Sequence, residues 1–220
     1  MTVANIITSD IPVVYNSDSV SSVLNLMMDE HMAQLPLLEN DKYAGLVTES
    51  QLLSIMATEA TLADQHIQWL QPAVPATVHP FDAIKVFSKF NLEILPVVDK
   101  DNVYLGALTK EAIVDYIATH EAMNEAGGII VLEVNANDYT LAEIARICES
   151  NDVIILNSSV YTNPETLKLE VTLKLNTNEL QYVIATFERY EYTILQTYGD
   201  AALNDGLSER YDLLMNYINM

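Results

Sequence analysis

The sequence predicts an α/β (α+β) protein: two related α/β units in tandem, then a ferredoxin-like βαββαβ domain and a terminal helix. Three observations carry that prediction. Leu35-Pro36-Leu37-Leu38 and Gly45-Leu46-Val47-Thr48 recur as Leu95-Pro96-Val97-Val98 and Gly106-Ala107-Leu108-Thr109, offset by 60 residues at the proline and 61 at the glycine. A period of this size reports a duplicated unit, and such units stack around a pseudo-two-fold axis with a cleft between related surfaces. Secondly, helical stripes alternate with short apolar runs through the first 120 residues. Finally, the order of elements changes after Gly127-Gly128, where Leu169, Val171, Leu173 and Leu175 alternate with Lys168, Glu170, Thr172 and Lys174, a strand with one buried and one wet face.

In the first unit Val20, Val23, Leu24, Met27, Met28 and Met32 follow the spacing of a core-facing helix over 18 to 32, and Asp18 is placed to cap it. Gln34 to Leu38 and Lys42 to Thr48 read as strands around a Glu39-Asn40-Asp41 turn, and a helix from Glu49 to about Ala57 closes the unit. In the second unit the helix is Phe81 to Phe90, the strands Glu93 to Val98 and Val103 to Thr109, and the closing helix Lys110 to Met123. Asp18 precedes Pro36 by 18 residues and Asp82 precedes Pro96 by 14, which predicts about one helical turn fewer in the second unit. Between them, Leu62 to Leu70 reads as a short helix anchored by Trp69, and Gln71-Pro72-Ala73-Val74-Pro75 as an extended connector.

Gly127 and Gly128 break the preceding helix. Beyond them come a strand (Ile129 to Val134), a helix (Leu141 to Cys148), two strands (Val153 to Val160, Leu167 to Leu175), a helix (Glu179 to Tyr190) and a last strand (Tyr192 to Thr197), the βαββαβ order. Leu207, Tyr211, Leu214 and Ile218 then keep helical spacing, so a docking helix is expected over 203–220, against this chain or a partner subunit.

Composition narrows the function. With 31 acidic against 10 basic residues the net charge is -21, and Lys42 is the only Lys or Arg in the first 84 positions. Nucleic acid and anionic membranes need clustered cations, so neither is an expected partner. Without an n-region in Met1 to Asp10 or an apolar run near ~20 residues, the expected location is cytoplasmic. Cys148 is the single cysteine, which excludes an intrachain disulfide and a multi-cysteine metal site, and its place on a helical stripe makes it a core residue. No phosphate loop, paired-histidine motif or nucleophile elbow occurs, so a non-catalytic protein without a metal site is expected. His31, His66, His79 and His120 are scattered and read as satisfied boundary residues; Met27, Met28 and Met32 read as core. Eight of the twelve tyrosines fall after Gly128, and Tyr190, Tyr192, Tyr198, Tyr211 and Tyr217 suggest an interface.

Each repeat resembles a cystathionine-β-synthase-type (CBS) domain, a βαββα unit with a Leu-Pro-Val-Val strand and a Gly-x-x-Thr-x-x-Asp turn into its last helix. Two copies, over 1–61 and 62–122, make a Bateman module. Residues 128–199 resemble an ACT domain in element order and in Asn135-Ala136-Asn137-Asp138-Tyr139-Thr140-Leu141 at the first strand-helix junction. The whole is similar to the acetoin-utilization family of bacterial regulatory proteins.

The resemblance implies a non-covalently bound adenine nucleotide or S-adenosylmethionine between the copies, signalling through a homodimer, and a protein target regulated in trans. Ile11, Leu35, Pro36, Val78, Leu95 and Pro96 would line the purine slot. Thr48 and Thr109, at helix starts, would meet phosphate. The family's ribose-binding aspartate is Gln51 in the first copy and Ala112 in the second. Gln51 retains one hydrogen bond to offer and Ala112 none. Loss of such a charge-assisted bond weakens binding by about 1.5–3 kcal/mol, which makes Thr48 and Gln51 the more competent half-site. The rival reading is a ligand-free oligomerisation or interaction scaffold with vestigial clefts. In the ACT-like half, Asp138 stands near where amino-acid-binding relatives carry glycine. It would repel a carboxylate and serve as a helix cap, so this domain is expected to pair subunits.

Overall fold

The computed structural model describes residues 1–65 and 67–199, so His66, the expected helix over 203–220, Tyr211 and Tyr217 lie outside the described residues. The chain forms two compact units, Met1–Tyr116 and Ile117–Met220.

The first unit holds two copies of one pattern. In the first copy, β1 (Val14–Tyr15) runs parallel to β2 (Gln34–Glu39) across helix α1 (Val20–Asp29), and β2 turns back antiparallel into β3 (Lys42–Thr48), which leads into α2 (Glu49–Leu53). The second copy repeats this as β4 (Val74–Pro75), α3 (Pro80–Phe90), β5 (Ile94–Val98), β6 (Tyr104–Thr109) and α4 (Lys110–His120). The expected helix over 62–70 is a single 3-10 turn, Leu62–Gln65.

The missing helical turn expected in the second copy does not exist. α1 has 10 residues and α3 has 11. The helix caps are Ser19, whose side chain accepts the Ser22 N–H, and His79, whose Nδ1 accepts the Phe81 N–H. Those residues are 60 apart, as are the prolines. Asp18 and Asp82 are not equivalent: the Asp18 carboxylate accepts the Tyr15 N–H at 2.7 Å, while Asp82 sits in the first turn of α3 and pairs with Lys85. The extra residue that changes the offset to 61 lies in the hairpin. Asn40 and Asp41, both at positive φ, make a two-residue turn between Glu39 and Lys42, whereas the second loop runs from Asp99 to Val103 and is closed by the Asp99 carboxylate on the Asp101 and Val103 N–H groups.

The copies join reciprocally. The Tyr43 N–H donates to the Asn102 carbonyl and the Tyr104 N–H to the Asp41 carbonyl, at 3.0 and 3.1 Å. At the opposite ends of β2 and β5, Ala33 N–H donates to the Glu93 carboxylate and Glu93 N–H to the Gln34 amide oxygen. Leu35, Leu37 and Val47 close the first copy's core against Val20, Val23 and Met27 of α1. Met28, expected there, is 64% exposed: one residue past Met27 it is rotated about 100° around the helix.

The second unit is the four-stranded antiparallel sheet β10-β7-β9-β8, built from β7 (Ile129–Val134), α5 (Leu141–Glu149), β8 (Ile155–Thr162), β9 (Leu169–Leu175), α6 (Gln181–Arg189) and β10 (Thr193–Tyr198). Strand order 4-1-3-2 is that of a ferredoxin-like unit. Both helices seal Ile130, Leu132, Val171 and Leu173 with Ile144, Val183 and Phe187. Cys148 is buried in this core, and burial pushes its thiol pKa up to about 11. Asp138 does not cap α5. Thr140 occupies the cap position, and the Asp138 carboxylate instead accepts the Asn135 amide at 2.9 Å. Tyr190 and Tyr198 are exposed, but Tyr192 packs edge-on against Phe187 and donates to Glu143, which makes it an internal residue.

Candidate functional site

The Gly-x-x-Thr turns stand where a strand passes into a helix. In each copy the glycine lets another segment lie flat on the strand. At Gly45 a Cβ would meet the Trp69 Cβ at 2.4 Å, and the Leu46 N–H donates to the Leu70 carbonyl beside it. At Gly106, with φ +143°, a Cβ would meet the Thr8 carbonyl oxygen at 2.7 Å, and Thr8 and Ala107 exchange two backbone hydrogen bonds. The segment ahead of each copy therefore zips onto the edge strand of one of the sheets: residue 8 on β6, residue 70 on β3.

Thr48 and Gln51 occupy each other. The Gln51 N–H donates to Thr48 Oγ1 at 3.3 Å, the Thr48 N–H to Gln51 Oε1 at 3.2 Å, and the Thr48 hydroxyl to Gln51 Oε1 at 2.9 Å. This is a capping box on α2. Thr109 caps α4 more simply, accepting the Ala112 N–H at 3.1 Å. Its neighbour Glu111 has its carboxyl pKa lowered by hydrogen bonds from its own N–H and from Thr109.

Leu35 and Leu95 are fully buried, Pro36 and Pro96 are buried at the midpoint of β2 and β5, Ile11 is 9% exposed and Val78 is half-buried. Two clefts of this unit, about 780 and 520 Å³, are lined by other residues. The larger is bounded by the β2–β3 hairpin, the 62–71 connector and Asn102; the smaller lies between α1 and α2. Trp69, expected to anchor the connector, packs on the first core at Gly45. No group of three or more His, Cys, Asp or Glu able to hold a metal occurs among the described residues. None of their helices is long and apolar enough to cross a membrane.

At the junction of the copies Tyr43 and Tyr104 lie in one small core with Leu38 and Val98. The Tyr43 hydroxyl donates to the Pro72 carbonyl at 3.1 Å, while the buried Tyr104 hydroxyl has no hydrogen-bond partner among the described residues. Burial raises both phenol pKa values, that of Tyr104 from 10.0 to about 12. The folded protein thus keeps these protons at a pH where the unfolded chain releases them. Their stabilisation is complete below pH 10 and is lost as the pH climbs toward the folded values. The unfolding free energy from urea denaturation should fall across pH 10 to 12, by at most ~1.4 kcal/mol per pH unit per tyrosine before solvent screening at Tyr104 is discounted. Tyr43→Phe should flatten the slope, and a slope unchanged in that variant would remove Tyr43 from the account.

The duplication, the reciprocal junction and the paired strand-helix turns coincide with a known family. The CBS domain family matches residues 3–58 and 71–119. These segments form a tandem CBS pair.

Curated relatives include a homoserine O-acetyltransferase of Methanococcus vannielii, 23% identical over 52% of this chain and 24% of its own length. Another is an inosine-5'-monophosphate dehydrogenase of Thermoplasma acidophilum, 22% identical over 74% of this chain and 33% of its own. The chain spans a quarter to a third of the length of these relatives. Among solved structures, a CBS domain pair/ACT domain protein of Thermotoga maritima is 20% identical, with 53% of this chain and 96% of that chain covered, at a TM-score of 0.49. CBSX2 in complex with AMP is 25% identical, with 52% and 93% covered, at 0.46. The CBS match lies almost wholly in the first unit.

Proposed function

We propose that the CBS pair is a non-catalytic sensor of an adenosine-containing ligand, and that occupancy is relayed through a homodimer to a protein target in trans. The observation that carries this reading is the match of both copies to the CBS family, each keeping its Gly-x-x-Thr turn at the start of α2 or α4. Ile11, Leu35, Pro36, Val78, Leu95 and Pro96 form the apolar surroundings in this proposal, and Thr48, Gln51 and Thr109 the polar contacts. A nucleotide bridging the copies favours one relative orientation only as far as it binds that orientation more tightly. Since Thr48 and Gln51 bond each other, binding there exchanges their capping bonds for ligand bonds, and Ala112 adds nothing polar from the second copy. The βαββαβ unit is proposed as an ACT-like, subunit-pairing domain, on the strength of its strand order and of Tyr190 and Tyr198 exposed on it.

The same capping box favours a second reading, a scaffold whose CBS clefts are vestigial. Calorimetric titration and thermal shift with ATP, ADP, AMP, S-adenosylmethionine and cyclic dinucleotides separate the two. Under the sensor reading at least one ligand stabilises the protein, and Gln51→Ala or Thr48→Val weakens it by roughly tenfold. No response at millimolar concentration across that panel decides for the scaffold.

A further inference from the structure

The cleft of about 780 Å³ lies outside all nine residues of the proposed nucleotide site. Lys42, in its hairpin wall, begins seven-residue β3, whereas Thr48 ends that strand, roughly 20 Å away, with Gln51 just beyond it in α2. The volume is within the ~300–1,000 Å³ of small-molecule sites. Its floor is apolar, with Leu37, Leu62 and Ile67, and Trp69 stands beside them. Trp69 lies against the strand because Gly45 has no side chain where its Cβ sits, and it packs on the first core.

The polar groups are arranged in two kinds. Lys42, the sole Lys or Arg of the first 84 residues, has no ion pair among the described residues. Glu39 faces it across the antiparallel pair, and the two are not joined to each other. Gln71 and Asn102 have their amide N–H groups committed to the Ala44 and Tyr43 carbonyls, each at 2.8 Å. Their amide oxygens remain as acceptors. One positive group and three acceptors, one of them a carboxylate, above an apolar floor match a ligand that carries both an anion and a multi-donor cation.

We infer that this cleft binds a free α-amino acid with a large apolar side chain. The carboxylate pairs with Lys42, the ammonium donates to Glu39 and the Gln71 and Asn102 amide oxygens, and the side chain lies on Leu37, Leu62, Ile67 and Trp69. A zwitterion is neutral, so the net charge of -21 does not oppose it as it opposes a polyanion. This inference stands independently of nucleotide binding.

Trp69 is the chain's single tryptophan and lines this cleft, so its fluorescence reports binding here, and the Lys42 and Glu39 substitutions separate that signal from binding at the cleft on the other side of the 67–71 segment. Titrating the full chain with L-leucine, L-methionine and L-phenylalanine should give a saturable change in Trp69 emission with at least one of them. Lys42→Gln and Glu39→Gln, both at exposed positions, should each weaken that response about tenfold with an unchanged circular dichroism spectrum. Leucine's analogues without the ammonium (4-methylpentanoate) or without the carboxylate (3-methylbutylamine) should bind at least as poorly. The inference is overturned by the absence of any saturable response at millimolar concentration, or by an affinity that either substitution leaves unchanged. AMP titrated into the same two variants reads the nucleotide proposal separately.

Discussion

Gly127→Ala should lower the stability of the protein by about 3 kcal/mol or more, through backbone strain and a clash together. At φ +147° the residue sits where L side chains are rarely found, and a Cβ there would lie 1.8 Å from the Leu175 carbonyl oxygen. That oxygen belongs to the last residue of β9, so relief by movement would pull on the sheet. Neighbouring bonds oppose the movement: Gly128 N–H donates to the Thr177 carbonyl, Leu175 N–H to the Gly128 carbonyl, and Lys174 Nζ to the Gly127 carbonyl. Urea denaturation followed by far-ultraviolet circular dichroism measures the effect. A midpoint within error of the parent protein would mean that the two backbones do not approach in this way. Gly45→Ala, where a Cβ would meet the Trp69 Cβ at 2.4 Å but φ lies outside the left-handed region, should cost less because the clash acts without added backbone strain.

The glycine pair was legible in the sequence as a helix breaker, but its closeness to the end of β9 was not, because that contact joins residues about 50 positions apart. The same divide runs through the fold. Local signals placed β7 at Ile129–Val134 to the residue, since its alternation and flanking glycines lie side by side in the chain. The short strands Val14–Tyr15 and Val74–Pro75 gave no such signal: each is a strand only by pairing with β2 or β5. Aspartates misled twice, at Asp18 and Asp138, because several residue types can cap a helix and the choice among neighbours depends on where the turn before it points. The candidate site divides similarly. Thr48 and Gln51 could be read from their three-residue spacing, and a capping box has that same spacing, so the pattern alone cannot separate a ligand contact from a cap. The Lys42 cleft went unread, since its walls come from a hairpin, a connector and the other copy. Its one sequence signal was the isolation of Lys42 among acidic residues.

Leu35→Ala should lower stability by about 3 kcal/mol, within the ~2–5 kcal/mol seen for buried leucines. Leu35 is fully buried in β2 and packs in one core with Val20, Val23 and Met27 of α1, with Val47 of β3 and with Leu52 of α2. Truncation would open a cavity where strand and helices meet, and the β2–β3 ladder, in which Leu35 pairs with Val47, limits how far they can collapse. The melting temperature should drop by roughly 6–12 °C for a chain of this size. Leu95→Ala, 60 positions on and equally buried, should do the same in the second copy, and Leu35→Met should cost under about 1.5 kcal/mol because it keeps the volume. A residue that only lined a ligand slot would behave in the opposite way, with thermal stability of the free protein unchanged and ligand affinity reduced. An unaltered melting temperature in Leu35→Ala would therefore move Leu35 out of the core and into the slot. A drop of the expected size means instead that Leu35 acts on any nucleotide through the packing of the first copy, and that affinities measured in this variant report the fold along with the contact.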